Sequence, residues 1–202
     1  MNVLIACEYS AIVRDAFRAK GVDAWSCDLL PTDGDPAFHV QGDVLEILEL
    51  HKETIKTIIA HPPCTALAVS GNAWYGGGMP KYQQRLDSVE WTKKLWETCL
   101  SICDKVCFEN PVGVLQRLGG FPKPHYIHPW QFGHMEQKKT GLYLHGLPPL
   151  QPTKDVQVEM MELPLKERQR LHYLPPSEDR WKIRSTTYQG IADAMAEQWC
   201  DL

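Results

Sequence analysis

The sequence predicts an α/β fold with a mostly parallel sheet and helices on both faces. Three observations carry that expectation. Short apolar runs alternate with amphipathic stretches through the first half of the chain. Most of these runs span only four or five residues before Pro or polar residues stop them, as buried strands do. The residues with chemical potential fall where the runs end, and the carboxyl ends of strands are where parallel sheets gather their ligands.

Residues 2–6 (NVLIA) read as a buried first strand. Residues 11–20 (AIVRDAFRAK) read as a helix, with Ser10 available as its N-cap and Gly21 as its stop. Residues 22–26 (VDAWS) form a second short strand that ends in Cys27-Asp28. A turn at Gln41-Gly42 leads into a helix over 43–50. Residues 57–60 (TIIA) are the next buried strand, stopped by His61-Pro62-Pro63. Residues 71–85, with Gly76-Gly77-Gly78, read as a loop of the length seen in lids. Helical spacing returns over 86–102 in Val89, Leu95, Trp96, Cys99 and Ile102. Residues 105–108 (KVCF) are a strand broken by Glu109-Asn110-Pro111.

The texture then changes to Pro, Gly, His and aromatic residues. Residues 140–144 (TGLYL) read as a late antiparallel strand. Residues 155–184 are charged and interrupted by Pro164, Pro175 and Pro176, so one helix near 165–171 is expected and loop elsewhere. Residues 190–199 (GIADAMAEQW) read as a helix that packs back on the sheet. With 202 residues, a single domain over 1–202 is expected, with 145–184 as an insert.

Several classes fall away. No apolar run approaches the ~18–20 residues of a membrane span. The N-terminus lacks a basic region before its apolar run and reads as a strand and not a leader. Seven cysteines, an odd number without a CxxC pair, imply a reduced, cytoplasmic setting. Cys99, Cys103 and Cys107 stand four apart, and core packing is expected of them, with no metal. The net charge of −4 is not the basic footprint of a typical nucleic-acid binder. Residues 155–184 nonetheless carry Lys166, Arg168, Arg170, Arg180, Lys182 and Arg184, either a basic cluster or a solvated face.

The chemistry points to His61-Pro62-Pro63-Cys64. Two prolines fix the chain at a strand end and display a cysteine there. A thiolate is the reactive form, so a lowered pKa or a nearby base is needed. Glu109, at the end of the next strand, places a carboxyl group at the same edge. A nucleophilic thiol beside an acid suits attack on an electron-poor ring. The thiolate adds to C6 of cytosine, the carboxyl group assists at N3, and C5 becomes able to take a methyl group.

These motifs resemble the DNA (cytosine-5)-methyltransferase family, above all its short bacteriophage members. Pro63-Cys64-Thr65 stands where the family has its Pro-Cys-Gln nucleophile motif, and Glu109-Asn110-Pro111 where it has Glu-Asn-Val. Gln137-Lys138-Lys139-Thr140 resembles the later basic motif, and 187–199 the closing helix. The resemblance implies a Rossmann-like S-adenosylmethionine-dependent methyltransferase fold. It implies Cys64, Glu109 and Lys139 as catalytic, with Lys138 the alternative basic contact to cytosine O2. Pro63, Asn110, Gln137 and Lys138 would meet the substrate. S-adenosylmethionine would lie against Cys7, Glu8, Tyr9, Ser10, Asp28, Asp43 and Pro62. In that assignment Asp28 accepts from the ribose, Asp43 from the adenine amino group, and Glu8 binds the methionine amino group. The family's first loop is glycine-rich, whereas 6–11 (ACEYSA) contains no glycine. The family's target-recognition domain is reduced here to 145–184. DNA, duplex or single-stranded, is the expected substrate, in the cytoplasm of a prokaryote or phage-infected host. Two alternatives stay open: a free cytosine nucleotide such as dCMP, and a non-catalytic, nucleotide-binding anti-restriction protein.

Overall fold

The computed structural model describes residues 1–200; the last two residues of the domain expected over 1–202 lie outside the described residues. A single seven-stranded sheet runs in the order β3-β2-β1-β4-β5-β7-β6. Its strands are β1 (Val3–Ala6), β2 (Ala24–Asp28), β3 (His39–Gln41), β4 (Thr57–Ala60), β5 (Val106–Pro111), β6 (His125–Ile127) and β7 (Thr140–His145). β1 pairs in parallel with β2 and β4, β3 with β2, and β5 with β4. Only β7 is reversed, lying antiparallel to both β5 and β6.

The helices are α1 (Ile12–Ala19), α2 (Val44–His51), α3 (Asn72–Tyr75), α4 (Tyr82–Ile102), α5 (Leu115–Gly119), α6 (Gln157–Glu162), α7 (Leu165–Arg168), α8 (Arg170–Tyr173), α9 (Arg180–Ser185) and α10 (Gln189–Trp199). Strand residues alternate between the faces of a sheet. Leu4, Ala6, Ile58, Ala60, Val106 and Phe108 therefore share one face, buried with Ile47 and Leu48 of α2, Leu95 and Trp96 of α4 and Leu115 of α5. Val3, Ile5, Ile59, Cys107 and Leu142 share the other, packed with Val13 and Phe17 of α1 and Ile191, Met195 and Trp199 of α10. A strand buried on both sides has no polar alternation, which is why NVLIA and TIIA are apolar throughout. Cys99 and Cys107 are fully buried, on opposite faces of the sheet, as core residues. No cluster of His, Cys, Asp and Glu suited to a metal occurs among the described residues. No helix among them is long and apolar enough to cross a membrane.

Four expectations need correcting. Glu109-Asn110-Pro111 does not break β5 but continues it, because β7 still offers partners after β4 has ended: Glu109 faces Leu142, Asn110 faces Gly141 and Pro111 faces Thr140. Ser10 does not cap α1, whose N-cap is Ala11. Residues 71–85 are not one loop: α3 and the start of α4 occupy most of the stretch, and α4 begins four residues before the expected 86. The 155–184 segment holds four short helices where one was expected. β3 and β6, three residues each, were not anticipated either, being too short to show a periodicity.

The topology creates the site. From β1 the chain builds outward through β2 to β3, then returns to place β4 on the other side of β1. Connections diverge at such a switch point and leave a crevice at the carboxyl ends of the two strands.

Candidate active site

The carboxyl ends of β4 and β5 hold the thiol and the carboxylate. His61 leaves β4 with its backbone N–H donating to the Ala6 carbonyl at 2.9 Å, so the turn starts against β1. Pro62 is buried and Pro63 exposed. The Asn110 side-chain amide donates to the Pro62 carbonyl at 3.0 Å, tying this turn to β5. Cys64 follows, half-buried, and its carbonyl accepts from the N–H groups of Leu67 and Ala68. The segment after it is pinned from below by Arg85 of α4. That buried guanidinium donates to the carbonyls of Ala66 (2.6 Å) and Ala68 (3.0 Å) and to the Asn72 side chain (2.8 Å). Gly113 closes the other side, where a Cβ would meet the Leu67 oxygen at 2.6 Å.

His61 and Glu109 form a buried pair, Nδ1 to Oε2 at 3.0 Å, with side chains 10% and 13% exposed. Burial pushes the Glu109 carboxyl up, but the His61 hydrogen bond and charge, with Lys138, outweigh it and hold the group below its ordinary value. Burial pushes His61 down, and Glu109 and then Glu8 outweigh that, leaving the imidazole above its ordinary value. Each partner thus favours the charged form of the other. Cys64 does not have the lowered pKa expected of a nucleophile. Burial and then the Glu109 charge raise it, against the smaller pull of Lys138 and Arg184. A thiol and a carboxylate therefore face the crevice in the resting protein.

Beside them lies the loop after β1. Cys7 and Ala11 have φ of 58° and 65°, and among non-glycine residues they alone adopt positive φ in the described chain. This conformation costs roughly 1–2 kcal/mol per residue with a Cβ. The loop without glycine takes glycine-like backbone angles nonetheless. Glu8 is 4% exposed, and its carboxylate turns inward to accept from the N–H groups of Val13 (2.7 Å) and Arg14 (3.2 Å). Glu8 thus caps α1, the role expected of Ser10, and Ser10 only donates to Glu8 at 3.4 Å. The Tyr9 carbonyl holds Thr32 and Asp33, while its hydroxyl donates to the Lys182 carbonyl of α9. Asp28, half-exposed at the end of β2, accepts from the Leu30 N–H with one oxygen, and no hydrogen bond reaches the other. Asp43 is exposed and caps α2 through the Leu45 N–H. After burial and Cys27, the charges of Asp28 and Asp43 both raise the Cys7 thiol, so these acids converge on the same end of the crevice.

The basic motif divides. Lys138 acts on His61, Cys64 and Glu109 through its charge, and its ammonium donates to the Arg184 carbonyl at 3.1 Å. Lys139, the residue expected in catalysis, is turned away, its ammonium 4.2 Å from the centre of the Tyr126 ring in β6. Gln137 is exposed and bonded to the insert, through its N–H to Arg168 and its side chain to Gln169. The structure thus brings Cys64, Glu109, Asn110, Pro62 and Lys138 together, with Cys7, Tyr9, Asp28 and Asp43 along the neighbouring edge. It takes Gln137 and Lys139 elsewhere, and it commits the Glu8 oxygens to the α1 amides although Glu8 still lies close enough to act on His61 through its charge. Sequence reasoning missed His61 and Arg85. His61 stood inside the motif but had no visible partner, because Glu109 lies 48 positions away. Arg85 fell at the end of the stretch read as a loop, where nothing marked it as buried.

No protein-family model matches the chain, and a search of curated proteins finds no match.

Proposed function

We propose that the chain transfers the methyl group of S-adenosylmethionine to C5 of cytosine in DNA, with Cys64 as a covalent nucleophile. One observation carries this reading: Cys64 and Glu109 meet at adjacent strand ends beside the switch point, with the Glu109 charge felt by the thiol. The order β3-β2-β1-β4-β5 is also that of the doubly wound, nucleotide-binding sheet.

The residues present fit the cofactor in part. Cys7 and Ala11 hold the loop after β1 in the backbone conformation that glycine would supply, at the crevice where a nucleotide lies. Asp28 offers an unengaged oxygen to ribose hydroxyls, and Asp43 an acid nearby. Glu8 drops out of the set, since its carboxylate is buried in the α1 N-terminus. S-adenosylmethionine supplies an electrophilic methyl group. The chain's own residues manage the proton and the ring. Glu109, ionised at rest, accepts the Cys64 proton and passes it to N3 as sulfur bonds to C6. The ring electrons then reside at C5. Lys138 adds positive charge at this point, and Asn110 keeps the Pro62 turn, and with it Cys64, in place. Loss of the C5 proton to water after methylation expels the Cys64 sulfur, and return of the N3 proton through Glu109 to that sulfur restores both the ring and the thiol.

A second reading keeps the chemistry and takes a free cytosine nucleotide. What favours it is the insert: Arg170 is paired with Glu136, Lys182 lies 3.9 Å from Asp33, and α9 rests on Tyr9. Two of the six insert cations are thereby drawn to acids of the chain itself and away from a phosphate backbone. Incubation with labelled S-adenosylmethionine and, separately, duplex DNA, single-stranded DNA and dCMP decides between them. Nucleoside mass spectrometry should find 5-methylcytosine in a DNA arm. Label in dCMP alone would promote the second reading, and label in no arm would remove both.

A further inference from the structure

His61 lies where the two halves of the crevice meet. Its backbone is bonded to the end of β1, its Nδ1 to Glu109 of β5, and its Nε2 is buried with no hydrogen-bond partner among the described residues. The groups around it come from every neighbouring element: Glu8 after β1, Cys64 after β4, Glu109 in β5 and Lys138 before β7. A nine-tenths buried imidazole with one nitrogen spent on a carboxylate is not a surface accident. Replaced by an apolar residue, it would leave Glu109 buried without a partner, and such a carboxyl takes up a proton.

We propose that His61 is the positioning residue of the site: its Nδ1–H fixes one oxygen of Glu109 and leaves the other to accept the Cys64 proton. This rests on the methyltransfer reading for its consequence, though not for the pairing itself. The proton balance is closed. The thiol proton passes to Glu109 and from there to N3 as the sulfur electron pair forms the bond to C6. On release that pair returns to sulfur, the C5 proton goes to water, the N3 proton returns through Glu109 to Cys64, and His61 is unchanged before and after. Lys138 favours the Glu109 carboxylate but opposes the charged imidazole, and Glu8, whose own carboxyl is pushed up by burial, acts on His61 in the opposite sense to Lys138.

The sign of the pH effect follows. Turnover requires ionised Glu109, so the rate falls as pH drops through the carboxyl's pKa. With His61 present that acid limb lies low. His61→Ala removes the two largest influences that hold Glu109 down and leaves burial opposed by Lys138 alone, so the limb moves to higher pH. The rate at neutral pH should fall by about 10²-fold in kcat, the low end for impaired proton transfer, with KM little changed. His61→Asn keeps an N–H donor near the Nδ1 position without the charge. It should recover part of kcat while its acid limb stays between those of the wild type and His61→Ala. A purely structural His61 would lower the melting temperature or the active fraction without moving the limb, and that result would overturn the proposal.

The pairing has a readout that needs no methyl transfer. An NMR titration of the His61 ring in the full chain should place its midpoint above that of an exposed histidine. In Glu109→Gln the midpoint should fall below it, because burial then dominates. A midpoint that does not move in Glu109→Gln overturns the pairing. If no cytosine substrate is methylated but the midpoint moves as stated, the functional reading fails and the His61–Glu109 pair stands.

Discussion

At the carboxyl ends of β4 and β5, the side chains are largely buried and held: Asn110 on Pro62, His61 on Glu109, Arg85 on the backbone after Cys64. The α6–α9 segment is built the other way. Its helices are four to six residues long, and only Met160 and Leu171 are buried within them. Val158, Met161, Leu165, Trp181 and Ile183 are all at least 41% exposed. The first region takes its geometry from a sheet buried on both faces. The second takes its geometry from surface ion pairs and α9 resting on Tyr9. Rigid placement is what chemistry demands, and adaptable placement suits a cover or a substrate contact. Substitutions at the strand ends should therefore be severe and specific, and those in the insert mild.

The largest effect is expected from Cys64→Ser. A hydroxyl is far less nucleophilic than a thiolate at neutral pH, so turnover should vanish while the melting curve is retained. Single-turnover assays beside thermal melts check both. Retention of more than a small fraction of activity would remove the covalent step. Glu109→Gln comes next, with a loss of roughly 10²–10⁴ in kcat. Cofactor affinity should barely change, since Glu109 faces His61 and Cys64 and not Asp28. A collapse of cofactor binding with normal chemistry would move Glu109 to the other end of the crevice.

These two residues were legible because a strand end followed by Pro-Pro-Cys or Glu-Asn-Pro reads clearly without any partner. β1 and β4 were legible for a related reason: parallel strands covered on both faces are uninterrupted apolar runs. Pairing between distant segments was not legible. The extension of β5 depends on β7, which begins 29 residues after Pro111. The role of Glu8 depends on its carboxylate turning back onto the amides of Val13 and Arg14, where Ser10 offered the more familiar cap. Lys138 and Lys139 were indistinguishable until the chain leading into β7 sent one toward Glu109 and the other onto Tyr126.

Asp28→Ala sharpens the comparison within the crevice. Loss of a charged acceptor for a ribose hydroxyl should weaken S-adenosylmethionine by about 1.5–3 kcal/mol, readable by calorimetry. Unchanged affinity would leave Asp28 as the acceptor of the Leu30 N–H and nothing more. Ala11→Gly should have a smaller effect of opposite sign. It relieves a left-handed φ of 65°, and stability should rise by up to about 1 kcal/mol, the steric gain being offset in part by glycine's entropy when unfolded. A drop in melting temperature would show that the Ala11 methyl group, which is buried, contributes more than its backbone costs.

The insert should respond least. Arg168→Ala, Arg170→Ala and Arg180→Ala combined should leave turnover of a free nucleotide and the melting temperature nearly unchanged, because exposed ion pairs contribute only about 0–1 kcal/mol. On duplex DNA the reading differs by cation. Each one that meets a phosphate steepens the logarithmic salt dependence by about 0.9. Arg170 is already bonded to Glu136, and Arg168 donates to the Met161 carbonyl and sulfur, which leaves Arg180 as the cation of the three without an acceptor. The triple variant should therefore flatten the slope by about one such increment and not three. A threefold larger change would mean that Arg168 and Arg170 leave their partners when DNA arrives. The insert would then rearrange on its substrate while β4 and β5 stay fixed. No change at all, together with turnover of dCMP, would make the insert a cover over the crevice with no part in reading DNA.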